Sequence, residues 1–305
     1  MSRVIVTGSA GRLGRSVVTV LRDCGHEVIG VDREADPGDP ASRGADLTDA
    51  RAASWLFSEV RPEAVIHLAA IAVPFSAPED VILRTNTALA FAVMQAAVDA
   101  GARTVITASS PTVFGYGSPA GWTPRRLPLD ESMEPEPWNA YALSKLVAER
   151  TARMFAAQLG NQVRFASFRP CYVIAPEEWH GALTQQGHTV LERLDRPELA
   201  APALFNYVDA RDAGMFLHVL MSGIRDIPNG ETFLVGAADA LARRPLAELI
   251  PDYLPQLTGV AADLTGSRPA FSIAKAQRLL GWHPTRSWRS ELGVDAEPVL
   301  TRGAE

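Results

Sequence analysis

Tyr141 and Lys145 stand four apart in Tyr141-Ala142-Leu143-Ser144-Lys145. On a helix that spacing puts a phenol and an ammonium on one face. A phenol titrates near ~10, too high to exchange protons readily at neutral pH. Nearby positive charge favours the phenolate and brings that value down. The pair therefore suits general acid–base work on a substrate hydroxyl. Of 29 basic residues only Lys145 and Lys275 are lysines. Where arginine is the default, a lysine marks a place where a compact ammonium is needed. Ser109 and Ser110 follow the apolar run Thr104–Ala108. A hydroxyl at that strand end would hold the reacting oxygen beside Tyr141. Pro111 keeps Ser110 extended, although paired serines also suit a plain turn.

A second constellation opens the chain. Val4-Ile5-Val6-Thr7 runs into Gly8, Gly11 and Gly14, three glycines spaced three apart. That reads as a buried strand, a tight turn and a helix start. Such a turn lets backbone approach a ligand, and the helix N-terminus presents free N–H groups to a pyrophosphate. Asp32 ends the next strand, about 20 residues on, where a carboxylate accepts from the adenosine ribose hydroxyls and repels a 2′-phosphate. The combination predicts NAD. Arg33 follows directly and leaves NADP possible. The positive nicotinamide would add to Lys145 in lowering Tyr141. Asp46-Leu47 would meet the adenine edge, unless Asp46 is only a turn or cap carboxylate. Leu68, Ala69 and Ala70 follow His67 at another strand end, where ligands of open α/β sheets bind. His67 reads as a packed strand residue.

These residues need a frame. Val4–Thr7, Glu27–Val31, Ala64–Ala69, Thr104–Ala108 and Val163–Phe168 read as buried parallel strands. Helices at 13–24, 51–60, 86–100 and 141–159 alternate with them. That order predicts an α/β fold, a doubly wound parallel (Rossmann) sheet with right-handed crossovers. From Pro170 prolines become frequent, and a smaller C-terminal α/β substrate lobe is expected. Residues 1–170 would form the dinucleotide-binding domain. Phe205–Val208 would return to the sheet as a strand within 203–226, and 171–202 with 227–305 would form the lobe. The lobe would hold the short strand Thr232–Val235 and helices at 246–254 and 272–280. Helices 86–100 and 141–159 are apolar on more than one face, so each needs two buried sides. One covers the sheet; the other is expected to join a second copy as a homodimer.

Bulk properties narrow the class. A formal charge of -6 argues against a nucleic-acid binder. Cys24 and Cys171 make no disulfide framework, which favours the cytoplasm. The first strand begins too early for a signal peptide, and no uninterrupted apolar run of about 18 residues suggests a membrane span. The six histidines lack ligand spacing, so no metal is expected.

Taken together, the motifs resemble the extended short-chain dehydrogenase/reductases of the NAD-dependent epimerase/dehydratase group. The similar pieces are Thr7-Gly8-x-x-Gly11-x-x-Gly14, Asp46-Leu47, His67-Leu68-Ala69-Ala70, Asn86, Ser109-Ser110-x-x-Val113-Phe114-Gly115, Tyr141-x-x-x-Lys145, Arg169-Pro170, Tyr207-Val208-Asp209-x-x-Asp212 and Lys275 through Pro284. The resemblance implies Tyr141 as acid/base and Lys145 on the nicotinamide ribose. Ser110 matches the catalytic hydroxyl, with Ser109 as fallback. It also implies Gly8, Gly11, Arg12, Leu13, Gly14, Asn86 and Pro170 at the cofactor. The family's dehydratases carry an acidic pair after the hydroxyl, where this chain has Pro111-Thr112. Many nucleotide-sugar epimerases place asparagine where this chain has Tyr172. Both departures, with the short lobe, favour a small sugar-like or polyol-like substrate. The expected activity is NAD(P)-dependent hydride transfer at a secondary alcohol or carbonyl. A nucleotide-sugar epimerase with tightly bound NAD is the alternative, and a non-catalytic NAD-binding sensor or scaffold the reading from another class. Candidate substrate contacts are Phe75, Ser76, Ser110, Thr112, Tyr172, Trp179, His180 and Arg211. Arg211 has a bland alternative in pairing with a neighbouring acid, and Trp179 in simple packing.

Overall fold

The computed structural model describes residues 1–293. In chain order the strands are β1 (Arg3–Thr7), β2 (Glu27–Asp32), β3 (Arg43–Gly44), β4 (Ala64–His67), β5 (Thr104–Ala108), β6 (Arg164–Pro170), β7 (Val173–Ile174), β8 (Val208–Asp209) and β9 (Glu231–Val235). The first helices are α1 (Arg12–Asp23), α2 (Ala50–Val60), α3 (Glu79–Asp99) and α4 (Ala140–Leu159). There follow α5 (Pro176–Trp179), α6 (Val190–Asp195), α7 (Ala210–Gly223), α8 (Leu246–Tyr253), α9 (Thr258–Ala261), α10 (Ala274–Leu280) and α11 (Trp288–Glu291).

Seven parallel strands form the main sheet in the order β3-β2-β1-β4-β5-β6-β9. This is the doubly wound α/β architecture. Side chains alternate across it, as strand geometry requires. Val4 and Val6 enter one apolar core and Ile5 the other. The strand order reverses between β1 and β4, so the glycine turn after β1 lies at the switch point where open α/β sheets bind ligands.

Three expectations change. Thr232–Val235 belongs to β9, which pairs along β6 from Ala166↔Glu231 to Pro170↔Val235 and completes the main sheet. Phe205–Val208 does not return to that sheet. Leu204 and Phe205 have φ of 52° and 56°, which no strand accommodates. Only Val208–Asp209 is extended, and it pairs with β7 in a separate two-stranded sheet. Finally, α3 begins at Glu79, well before Asn86. Glu79 and Asp80 occupy its first turn, where the helix dipole favours acids.

The lobe does not have an isolated core. Leu246, Ile250, Leu264 and Phe271 join the same apolar cluster as Val4, Phe168 and Phe216. By length and composition α3 passes for a membrane span. It nonetheless lies in the sheet's covering layer, packed between α2 and α4. Cys24 and Cys171 are free thiols.

Candidate active site

Helix α4 carries the proposed chemistry, and its start is well defined. Asn139 caps it, its Oδ1 accepting from Ala142 N at 2.9 Å. Tyr141, Lys145 and Glu149 then fall on one buried face at successive i, i+4 positions. Ser110 lies near enough to the Tyr141 hydroxyl to favour its ionised form. Lys145 Nζ donates to the Ala108 carbonyl at 3.2 Å and lies 5.7 Å from the Tyr141 ring centre. Ser110 caps a 3-10 turn at Pro111–Phe114, accepting from Thr112 N at 3.3 Å and Thr112 Oγ1 at 2.9 Å. So Tyr141, Lys145, Ser110 and Thr112 converge at the ends of β5 and α4.

Electrostatics here differ from the expectation. Burial pushes Tyr141 up to about 12, although nearby Ser110 pulls the other way. Burial also pulls Lys145 down to about 8. Desolvation penalises both charged forms. Lys145 alone therefore does not prepare a phenolate. Among the described residues it has no carboxylate partner.

Ser109, the fallback for the hydroxyl that holds the reacting oxygen, is engaged elsewhere. It donates to Glu149 Oε1 at 2.6 Å. The same carboxylate takes Arg169 Nε at 2.7 Å and Nη2 at 2.8 Å, and both side chains are fully buried. Arg169 also lies over the Phe114 ring at 4.7 Å. This triad ties β5, β6 and α4 together behind Lys145. The sequence reading missed Glu149, although its spacing from Lys145 was the available signal.

The glycine turn fits a dinucleotide. A Cβ on Gly14 would lie 2.1 Å from Gly8 O, and one on Gly8, whose φ is +72°, would lie 2.7 Å from Ala69 N. Backbone therefore packs on backbone, and only glycine permits it. Gly11 caps α1 without a side chain, leaving first-turn N–H groups for a phosphate. Asp32 stands at the end of β2, and its Oδ2 accepts from Ala10 N at 3.0 Å. Leu68 and Ala69 donate to Thr7 Oγ1 at 3.2 and 3.3 Å, which seats the 68–70 segment against the turn. His67 is a buried strand residue bonded to Thr7 Oγ1 at 2.8 Å, and burial holds it neutral, down to about 3. Pro170 ends β6, partly covered. Arg33 is exposed beside Asp32.

Other candidates are spent on the protein. Asn86 exchanges bonds with Ile71 N and O at 2.8 and 3.1 Å and donates to Ser144 Oγ at 3.1 Å, so both amide hydrogens are used. It positions the loop after β4. Asp46 makes the turn alternative real: its Oδ1 accepts from Thr48 N at 3.0 Å and Thr48 Oγ1 at 2.6 Å. Leu47 is core. Arg12 pairs with Glu178, and Leu13 packs on the main core. Trp179 is buried and donates to Asp209 Oδ2 at 2.7 Å. Arg211 grips Asp209 at 2.6 Å and Glu291 at 2.7 Å. Phe75 is 60% exposed and tilts against Trp138. Ser76 bonds Val73 O at 2.8 Å, and His180 is exposed at the end of α5. Tyr172 lies partly buried just past β6.

Comparison with known proteins agrees with this geometry. A model of the NAD dependent epimerase/dehydratase family matches residues 4–236. The chain is 31% identical over 166 residues to a UDP-glucose 4-epimerase of Azospirillum brasilense, covering 52% of this chain but only 46% of that relative. It is 25% identical over 309 residues to one of Corynebacterium glutamicum, covering 92% and 91% of the two. A solved UDP-glucose-4-epimerase from Stenotrophomonas maltophila, with bound NAD and formylated UDP-arabinopyranose, superposes with a TM-score of 0.71 at 20% identity, covering 96% of each chain. That last likeness concerns the fold.

Proposed function

The chain belongs to the NAD-dependent epimerase/dehydratase family, and we propose that it exchanges a hydride between NAD and a secondary alcohol or carbonyl of a sugar-like or polyol-like molecule. As a family member it is an NAD(P)-dependent enzyme of the short-chain dehydrogenase/reductase type. The observation that carries the specific reading is a buried ammonium without a carboxylate partner, one helical turn from Tyr141 and 5.7 Å from its ring centre, with Ser110 at the adjoining strand end. The glycine turn, Asp32 and Lys145 would hold NAD, which when bound supplies the hydride acceptor and a positive charge. Tyr141 exchanges the proton of the reacting hydroxyl. Ser110 orients that oxygen, and Thr112 in turn holds Ser110. Lys145 holds its ammonium near the phenol and, with the positive charge of bound NAD, opposes the burial that keeps Tyr141 protonated.

The two relatives above favour a second reading, a nucleotide-sugar epimerase that keeps its NAD. Tyr172 at the position after Cys171 supports the first. A screen of reduced-nicotinamide absorbance and of product configuration, with NAD and NADP against free sugars, uronates, polyols and UDP- or dTDP-sugars, separates them. Net NADH formation with a free sugar, uronate or polyol supports the first reading; epimer formation from a nucleotide sugar with no net NADH, with NAD co-purifying, would establish the epimerase. Tyr141→Phe should lower kcat by about 100-fold or more; unchanged activity would point to a binding protein instead.

Helices α3 and α4 pack side by side. Phe91, Leu143 and Met154 stay 48%, 39% and 45% exposed on them. We infer a homodimer through this pair of helices, to be tested by sedimentation of wild type against Phe91→Glu/Met154→Glu.

A further inference from the structure

We propose that Arg193 on α6, with Tyr172, Gln186 and Thr184, forms an anion subsite of the lobe that takes an acidic oxygen group of the substrate, a carboxylate or a phosphate. The inference rests on the substrate-processing role proposed above and narrows its substrate class.

Arg193 is 1% exposed and ranks among the largest fully buried side chains. Among the described residues no carboxylate pairs with it. Its Nη1 donates to Gln186 Oε1, a neutral acceptor, and its guanidinium lies over the Tyr172 ring at 4.2 Å. Its Nε has no partner. The other buried arginines have more acceptors. Arg169 has Glu149, and Arg164 takes the carbonyls of Ile224 and Ile227 and the Asn161 side chain. A buried guanidinium left with one neutral acceptor is costly, because its donors were desolvated and not repaid. The Tyr172 hydroxyl, on the ring that the guanidinium covers, is also buried without a partner, as is Thr184 Oγ1 in the turn that carries Gln186. Unmet N–H donors on a guanidinium match a planar or tetrahedral oxyanion.

The subsite lies just past the sheet edge that carries the chemistry: Tyr172 follows Pro170, the last residue of β6, by two positions. Asn206 Oδ1 accepts from Tyr172 N at 2.6 Å, and the Tyr172 ring faces Arg193. The segment covering Arg193 is a turn closed by Thr184 N to His188 O at 2.8 Å and Gly187 N to Thr184 O at 2.9 Å. Gly181 and Gly187 bound it with φ of +95° and +81°. Its outer residues are exposed, so little apolar burial opposes its displacement by an entering ligand.

Calorimetry on Tyr141→Phe saturated with NAD tests this, since ligands then bind without turnover. The probes are D-glucuronate, UDP, inorganic phosphate and neutral D-glucose. Adding Arg193→Met should weaken an anionic probe by roughly tenfold or more while leaving D-glucose unchanged. Loss of D-glucuronate identifies a carboxylate source, and loss of UDP or phosphate a phosphoryl source. Equal affinities in both backgrounds, or no anion binding to the Arg193 protein, overturn the subsite. If Arg193→Met does not fold, Arg193→Lys decides: it keeps a charge but not the fork, so anion affinity should still fall and D-glucose should not. Equal anion affinity there also overturns it. If anions bind through Arg193 yet no sugar reduces NAD in the wild type, the proposed reaction fails and the subsite stands.

Discussion

Replacing Glu149 with glutamine removes one charge from a pair that is otherwise sealed in protein. Glu149 and Arg169 expose 3% and 4% of their side chains. The carboxylate accepts three hydrogen bonds, two of them from the guanidinium. Glutamine keeps the shape but turns one oxygen into an NH2 that faces the arginine. Arg169 Nη1 is already unpartnered, so nothing else takes up the charge. Breaking one partner of such a pair costs about 3–5 kcal/mol. At roughly 2–4 °C per kcal/mol for a protein of this size class, Tm should fall by about 6–20 °C. Removing both charges is different, because apolar groups of similar volume leave no uncompensated ion. Glu149→Met/Arg169→Met should therefore recover most of the loss. The assay is urea and thermal unfolding of both single variants and the double. A Glu149→Gln protein within about 1 kcal/mol of wild type, or a double variant no better than Glu149→Gln, would refute the reasoning.

Gly14→Ala should weaken NAD binding by about tenfold or more in a fluorescence titration, because its Cβ would sit 2.1 Å from Gly8 O and neither backbone can give. Trp179→Phe should cost about 1–3 kcal/mol of stability by losing the 2.7 Å bond to Asp209, and leave KM unchanged; a raised KM would return Trp179 to the substrate. His67 titrates at about 3 in the folded chain against 6.5 when unfolded, so the unfolded state takes the proton first. Its share of stability is complete above pH ~6.5 and shrinks as pH falls toward about 3. His67→Asn should flatten the pH dependence of the urea midpoint across that window, and an unchanged slope would show that His67 is not its source.

The legible parts of the sequence were those whose meaning is local. A glycine that must meet backbone, an acid at a strand end and a phenol four residues from an ammonium each declare themselves within a few positions. The residues that bind across long separations did not. Asn86 looked like a cofactor contact, but its partners are Ile71 and Ser144, the latter on another helix. Trp179 and Arg211 were candidate substrate contacts, each with a packing or pairing alternative, and Asp209 holds both. Val190–Asp195 forms a short helix, and nothing in its sequence distinguishes Arg193 from a solvated arginine until the fold buries it against Tyr172. Thr232–Val235 was recognisable as a strand, but its neighbour β6 lies 61 or more residues away, beyond any local pattern.

The two lysines show how far composition alone reaches. Lys275 Nζ meets Glu231 and the Thr232 carbonyl beside the Phe233 ring, inside the seam between α10 and β9. Lys145 Nζ meets one carbonyl, Ala108, under the Tyr141 ring. Both are sites where a single nitrogen fits and a planar fork of five donors would leave several unmet. The difference between them is the counter-charge. Lys275 has Glu231 and is complete as a structural tie. Lys145 has only a carbonyl, so two of its hydrogens and its whole charge remain for other partners. Burial without a counter-ion is what lowers Lys145 to about 8. The same lack marks Arg193 in the lobe. Arg164 is also buried without a carboxylate, but its guanidinium is met by the Ile224 and Ile227 carbonyls and by Asn161, whereas Lys145 and Arg193 each have a single acceptor.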